Sequence, residues 1–399
     1  MLTRYLTAAT LARVGAEMVA FTLVLLVLDR TDSPALAGLT GAAYALPAVV
    51  TGPLLGAWLD RTAHRRTVLA VSQAVMGGVV LALLVVTPHW AAPVLAAVAG
   101  TTLPLVNGGF TSMLPSLVSK DQLPQANSFE AASFGLAAIT GPAAAATVTA
   151  IASAETAVVV IAALAALSIL AIGRLPVLPP AGRSQDPFLR SVLGGLTHLA
   201  RTPRLRASTV TSTLLMGVIG MLLITLPLHM ASLGMPRSAA GYLWTAMELG
   251  SVATALLLGR RLTRWRPECV VMLSVAAYGL AFTAWPLAGT FATLLILAAV
   301  TGLLDGPMIP AMFAARQQYS SLELQGRVST TAASLRVGVA ALGQVAAGVL
   351  VPVIGTHAAL LVIAGSLVGA SALGWLSLKI GRNPEAPTDF VRTQSRPWT

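Results

Sequence analysis

Gly56-Ala57-Trp58-Leu59-Asp60-Arg61-Thr62-Ala63-His64-Arg65-Arg66 joins two apolar segments through a turn that carries one acid and several cations. Residues 36–59 before it are apolar and rich in small side chains, and residues 68–87 after it are apolar again. Two hydrophobic segments of about twenty residues joined by a short charged turn form a helical hairpin whose turn sits at a membrane surface.

The rest of the chain has the same character. Of 399 residues, 56% are hydrophobic and only 10% are charged, with a mean hydropathy of +0.81. A soluble domain needs about a quarter of its residues charged to cover its surface. Segments long enough to cross a ~30 Å hydrocarbon core fall at 5–28, 36–59, 68–87, 91–114, 126–149, 155–174, 208–231, 238–260, 269–287, 290–313, 328–352 and 357–379. The sequence therefore predicts an all-α polytopic membrane protein with twelve transmembrane helices. Their Gly, Pro and Thr content predicts kinked, closely packed helices, and the ~10-residue alternating segments of a strand barrel do not occur.

The net charge of +11 would point a soluble protein toward nucleic acid, but its distribution is that of a membrane topology. If the turn at 56–66 is placed on one side, 21 of the 25 basic residues share that side. Arg30 and Arg237 fall in loops of the other side, and Arg13 and Arg336 fall inside spans. The positive-inside rule then makes both termini and the long middle loop cytoplasmic, and nucleic acid is excluded as a partner. No short apolar region with a small-residue cleavage site opens the chain, so the first segment is expected to be a retained span. The single Cys269 excludes an internal disulfide and a Cys-rich metal site. Twenty-three arginines against two lysines suggest a GC-rich bacterial genome and hence the inner membrane.

An internal repeat runs at an offset near 200. Gly41–Val68 aligns with Gly241–Glu268, which sets Asp60-Arg61 against Arg260-Arg261 and Arg66 against Arg266. Val106-Asn107-Gly108 likewise resembles Leu304-Asp305-Gly306. Parallel duplication of six spans is a construction found in secondary transporters. The expected organisation is a six-helix bundle over 1–175, a cytoplasmic linker over 176–206, a second six-helix bundle over 207–380 and a cytoplasmic tail over 381–399. Within the linker, apolar residues at 188, 189, 192, 193, 196 and 199 recur at helical spacing, which predicts an amphipathic helix on the membrane face.

On these residues the chain resembles the major facilitator superfamily over essentially its whole length. The turn at 56–66 is similar to that family's signature loop between spans 2 and 3: Gly56, then Asp60, Arg61, and further cations at Arg65 and Arg66. Ala63 and His64 depart from the pattern, which favours Gly and a basic residue there. The resemblance implies that this loop and Glu130, at the start of span 5 and near Arg61 or Arg65, form a latch on one face, with Asp60 opposite Ser329-Thr330. Gly141-Pro142 and the alanines after it resemble the Gly-Pro motif of the exporter branch, and Thr31–Leu39 with Leu46-Pro47 resembles twelve-span drug exporters. Both resemblances imply efflux of hydrophobic or amphipathic small molecules. A packing kink is the alternative reading of Gly141-Pro142.

Chemistry is expected where ionisable groups lie inside spans, since a charge near the bilayer centre costs several kcal/mol unless it is paired or wetted. These groups are Arg13 and Glu17 in span 1, Glu130 in span 5, Glu248 in span 8, Asp305 in span 10 and Arg336 in span 11. Proton coupling requires a carboxyl group that can be neutral facing one side and charged facing the other, and Asp305, Glu248 and Glu17 are the candidates. Arg13 lies four residues from Glu17, so a static ion pair on one helical face is the competing reading. Arg336 either holds Asp305 or substrate, or latches an interface. Asn107, the repeat mate of Asp305, is neutral.

Enzymatic chemistry has no foothold. No metal-binding or phosphate-binding motif occurs, no cofactor is implied, and His64, His89, His198, His229 and His357 are scattered. Without a nucleotide site, transport has to be driven by a gradient. The expected partners are a small-molecule substrate, protons and membrane lipids, with the protein as a monomer. An importer or uniporter, or a non-transporting receptor that uses the 176–206 loop, are the alternatives.

Overall fold

The structure is a computed structural model and describes residues 1–62, 64–86, 89–119, 121–176, 188–262 and 264–380. The side chains of Gly56, Asp60, Arg61, Arg260 and Arg261, and of residues 188–193, lie outside the described set, as do the tail 381–399 and most of the linker before residue 188. Among the described residues every regular element is helical.

The first bundle holds α1 (Leu2–Thr31), α2 (Pro34–Ala45), α3 (Pro47–Arg61), α4 (Arg65–Val85), α5 (Ala91–Gly100), α6 (Leu123–Ile151) and α7 (Ala154–Gly173). A bridging helix, α8 (Phe188–Arg201), leads to the second bundle. That bundle holds α9 (Pro203–Ser232), α10 (Ala240–Leu262), α11 (Pro267–Phe282), α12 (Phe291–Asp305), α13 (Met308–Tyr319) and α14 (Leu322–Lys379). Prolines account for the breaks within spans: α2 gives way to α3 at Leu46-Pro47, and α12 to α13 at Gly306-Pro307. Ser33, Ser153 and Thr290 cap α2, α7 and α12 by accepting from backbone N–H groups at 3.2, 3.1 and 3.2 Å.

Eleven helices among the described residues are long and apolar enough to cross a membrane, where the sequence predicts twelve. The difference is α14. Its 58 residues would extend roughly 85 Å if straight, but Gly355 at φ 79°, ψ 165° breaks it, a conformation open essentially to glycine alone. The two arms lie along α9 in opposite directions. On the way out, Val328 and Ala332 pack with Leu205, and the Thr356 hydroxyl lies 3.2 Å from His229 Nδ1. On the way back, Thr211 donates to the Ala370 carbonyl (3.4 Å) and Arg206 donates to the Ser377 carbonyl.

The bundles meet through α2 against the first arm of α14 and through α6 against α10. Counted as spans, these are the pairs 2–11 and 5–8. A shift of six spans maps each pair onto the other, as a pseudo-twofold axis requires. The apolar core is one cluster across both bundles around α1, α9 and α10. Toward the 56–66 turn it separates into a cluster in the first bundle, from Tyr5 to Leu175, and a smaller one in the second around Leu199 and Leu205. α8 belongs to the second bundle: a His198 ring nitrogen lies 2.9 Å from the Tyr319 carbonyl.

Candidate functional site

Two mid-span acids sit on one helix crossing. A Cβ added at Gly302 of α12 would overlap the Met247 carbonyl of α10, and one at Gly250 would overlap the Ala299 carbonyl, so the two backbones touch. Glu248 lies between Met247 and Gly250, and Asp305 three residues beyond Gly302. Only glycine allows this approach, which holds the acids within electrostatic reach of each other. Asp305 ends α12 just before the Gly306-Pro307 break, and its Oδ1 is buried with no hydrogen-bond partner. Tyr278, buried on α11, lies near both acids and directs its hydroxyl at Met247 Sδ, 3.7 Å away.

The third acid is on α1. Glu17 is exposed although Ala16 and Met18 beside it are buried, so its face of the helix borders an opening. Gly141 of α6 packs on it: a Cβ there would collide with Glu17 Cβ. One residue on, the Pro142 carbonyl lies 2.6 Å from a Cβ added at Gly241 of α10. Gly141-Pro142 thus brings α1, α6 and α10 together at Glu17. On one side of this point Tyr242 and Thr147 exchange a 3.0 Å hydrogen bond across the bundles, and on the other Thr245 donates to the Ile139 carbonyl at 3.2 Å. At the far end Arg237 donates to the Leu28 carbonyl (2.7 Å), bonds Asp32 and lies 3.6 Å from Asp29.

Arg13 does not make the competing i, i+4 pair with Glu17. Its guanidinium forms a buried salt bridge with Glu130 of α6, donates to Ser133 and lies over the Phe134 ring, 3.7 Å from its centroid. Glu130 also accepts from the Tyr5 hydroxyl (2.8 Å) and from Thr111 (2.7 Å). Glu130 therefore belongs to a network that ties α1 to α6. The physical reason is burial: an acid with so little water access needs donors already facing it, and α1 supplies two. Glu17 is left without a salt bridge among the described residues.

In the turn itself, Arg65 is buried and its Nε donates to the Leu59 carbonyl (3.1 Å), clamping α3 to α4. Arg66 donates to the Leu175 carbonyl at the end of α7 (3.0 Å). The expected roles of Gly56, Asp60 and Arg61 concern side chains outside the described set. Asn107 is exposed within a π-helical turn, Leu105–Gly109, and its carbonyl lies 2.8 Å from the Thr111 hydroxyl. Arg336 does not hold Asp305; its Nη1 points at Met312 Sδ, 3.1 Å away.

The sequence matches the Major Facilitator Superfamily over residues 5–267 and again, overlapping, over 209–399. The chain belongs to this superfamily. As a major facilitator it is a multi-pass membrane transporter with a small-molecule substrate, not an enzyme. It is 30% identical over 393 residues to the uncharacterized MFS-type transporter y4rN of Sinorhizobium fredii, covering 96% of this chain and 95% of that protein. It is 27% identical over 366 residues to the multidrug efflux pump Tap of Mycolicibacterium fortuitum, covering 88% of each. Its fold superposes on a mutant of the nucleoside transporter NupG with a TM-score of 0.76 at 16% identity, covering 94% of this chain and all of that one. Two charged residues of this facilitator escape a reading of the sequence. Arg316 reads as a loop cation if span 10 stops at 313, yet α13 runs to Tyr319 and buries it. Glu268 reads as a surface acid but is buried, accepting from the Tyr319 hydroxyl at 2.7 Å, with Arg204 at 3.6 Å.

Proposed function

We propose that this facilitator is a proton-coupled exporter of hydrophobic or amphipathic small molecules, working by alternating access in a bacterial inner membrane. In this reading each arm of α14 crosses the bilayer, giving twelve crossings, and both termini and the 176–206 linker are cytoplasmic. The bundles 1–175 and 207–380 rock against each other as a monomer.

One observation carries the reading. Glu17, Glu248 and Asp305 have no salt-bridge partner among the described residues, and they sit where α1, α6, α10 and α12 come together. A structural acid at membrane depth would be paired, as Glu130 is; an acid without a partner is suited to taking and giving a proton as access changes sides. The likeness to a multidrug efflux pump supports the direction and the cargo class.

Efflux of a lipophilic fluorescent dye from proteoliposomes under an imposed pH gradient tests it. Transport should follow the gradient, and Asp305→Asn should uncouple it. Flux indifferent to the gradient, or normal coupling in Asp305→Asn, refutes proton exchange. Downhill uptake insensitive to protons would mark an importer or uniporter instead.

A further inference from the structure

Arg316 and Arg336 converge on a single thioether sulfur. Arg316 Nη2 lies 3.3 Å from Met312 Sδ, and Arg336 Nη1 lies 3.1 Å from the same atom. Arg316 is only 3% exposed, and Arg336 is half-buried. Each also has a buried Nε with no hydrogen-bond partner. No carboxylate among the described residues forms a salt bridge with either.

A thioether is a weak acceptor and carries no charge, so it cannot balance two guanidinium ions. A buried cation without a counter-ion is costly, and two of one sign side by side repel as well. Elsewhere the chain answers the same problem directly: Arg13 has Glu130, and Arg237 has Asp29 and Asp32. At Arg316 and Arg336 no compensating carboxylate stands among the described residues. The forks present several N–H donors around Met312, a flexible side chain that can yield space. The Phe313 ring, 5.7 Å from the Arg316 guanidinium carbon, adds an apolar surface beside them.

We propose that Arg316 and Arg336 form a binding site for the oxyanion of an amphipathic molecule, a carboxylate, sulfonate or phosphate with an apolar body. This rests on the exporter reading in one respect: if the molecule is cargo, the transported class includes amphipathic anions. An anionic lipid headgroup offers the same chemistry.

The test is equilibrium binding of 1-anilinonaphthalene-8-sulfonate to the purified full chain in phosphatidylcholine nanodiscs. N-phenyl-1-naphthylamine, the same ring system without the sulfonate, is the matched neutral probe. The protein should raise the affinity for the sulfonate over the neutral probe by about tenfold or more, as charge-assisted bidentate bonds do. Arg316→Gln with Arg336→Gln should remove that preference, while Arg316→Lys with Arg336→Lys should restore part of it. Wild-type protein that binds both probes alike overturns the proposal whether or not the variants fold, as does a well-folded glutamine pair that keeps the preference. Displacement of the sulfonate by phosphatidylglycerol added to the nanodisc assigns the site to a lipid headgroup. Retention of the probe there, with gradient-driven sulfonate flux in proteoliposomes, assigns it to cargo. Binding is read without any gradient, so preserved binding with no coupled flux sinks the exporter reading and leaves the anion site standing.

Discussion

The Arg13 guanidinium pairs with the Glu130 carboxylate 117 residues away, not with Glu17 one turn along its own helix. This choice divides the intramembrane charges into two kinds. Arg13 and Glu130 neutralise each other and bind α1 to α6, whereas Glu17 has no salt-bridge partner among the described residues.

Removing one member of that pair should therefore be a stability mutation. Both side chains are almost fully buried, at 1% and 6% exposure. Glu130→Gln or Arg13→Gln leaves an unbalanced charge or donor and should cost about 3–5 kcal/mol. Thermal unfolding of the purified protein checks this, and Glu17→Gln should lower the midpoint by much less.

Gly302 sets how closely α10 and α12 approach. In Gly302→Val the side chain meets the Met247 carbonyl, and overpacking of this kind costs typically ~1–3 kcal/mol. The pair Glu248 and Asp305 would separate as well. Coupled flux should fall further than stability does, read as proteoliposome transport per folded molecule against the unfolding midpoint.

Gly355 permits the return of α14. An alanine at φ 79°, ψ 165° is strained by about 1–3 kcal/mol. Gly355→Ala should lower the unfolding midpoint, while Gly365→Ala, which meets open space inside the returning arm, should leave it nearly unchanged.

The Tyr242–Thr147 contact joins the bundles at a level that alternating access has to open. With Cys269 replaced by serine, paired cysteines at 147 and 242 joined through two disulfides by a short bis-methanethiosulfonate should stop transport, and reduction of those disulfides should restore it. Arg237→Gln, which removes the tie to Asp29 and Asp32, should lower the cross-linking yield. These side chains are partly exposed, so the cost in stability should stay below ~1 kcal/mol. Full activity of the cross-linked protein would refute motion at this level.

Much of this architecture is legible in the chain. Hydropathy marks the spans because lipid demands apolar side chains along some twenty residues, a requirement that is local and one-dimensional. The breaks at Pro47 and Gly306-Pro307, the helix over 188–201 and the duplication are local in the same sense. The span boundaries were less legible: α13 continues past 313 because Arg316 is packed inside the bundle, and hydropathy scores an arginine as a terminus wherever it faces.

Partnership was the part the sequence did not contain. Spacing allowed Arg13 to reach Glu17; the fold gave Arg13 to Glu130, Tyr5 to the same acid and Met312 to Arg336. By itself the sequence determined that the chain is a duplicated helical membrane protein with a few intramembrane charges, since periodicity and solvent preference are properties of short segments. Only the tertiary structure decided which of those charges cancel and which remain available. Coulombic pairing falls off over a few ångströms, and helices separated by more than a hundred residues come that close only after they pack.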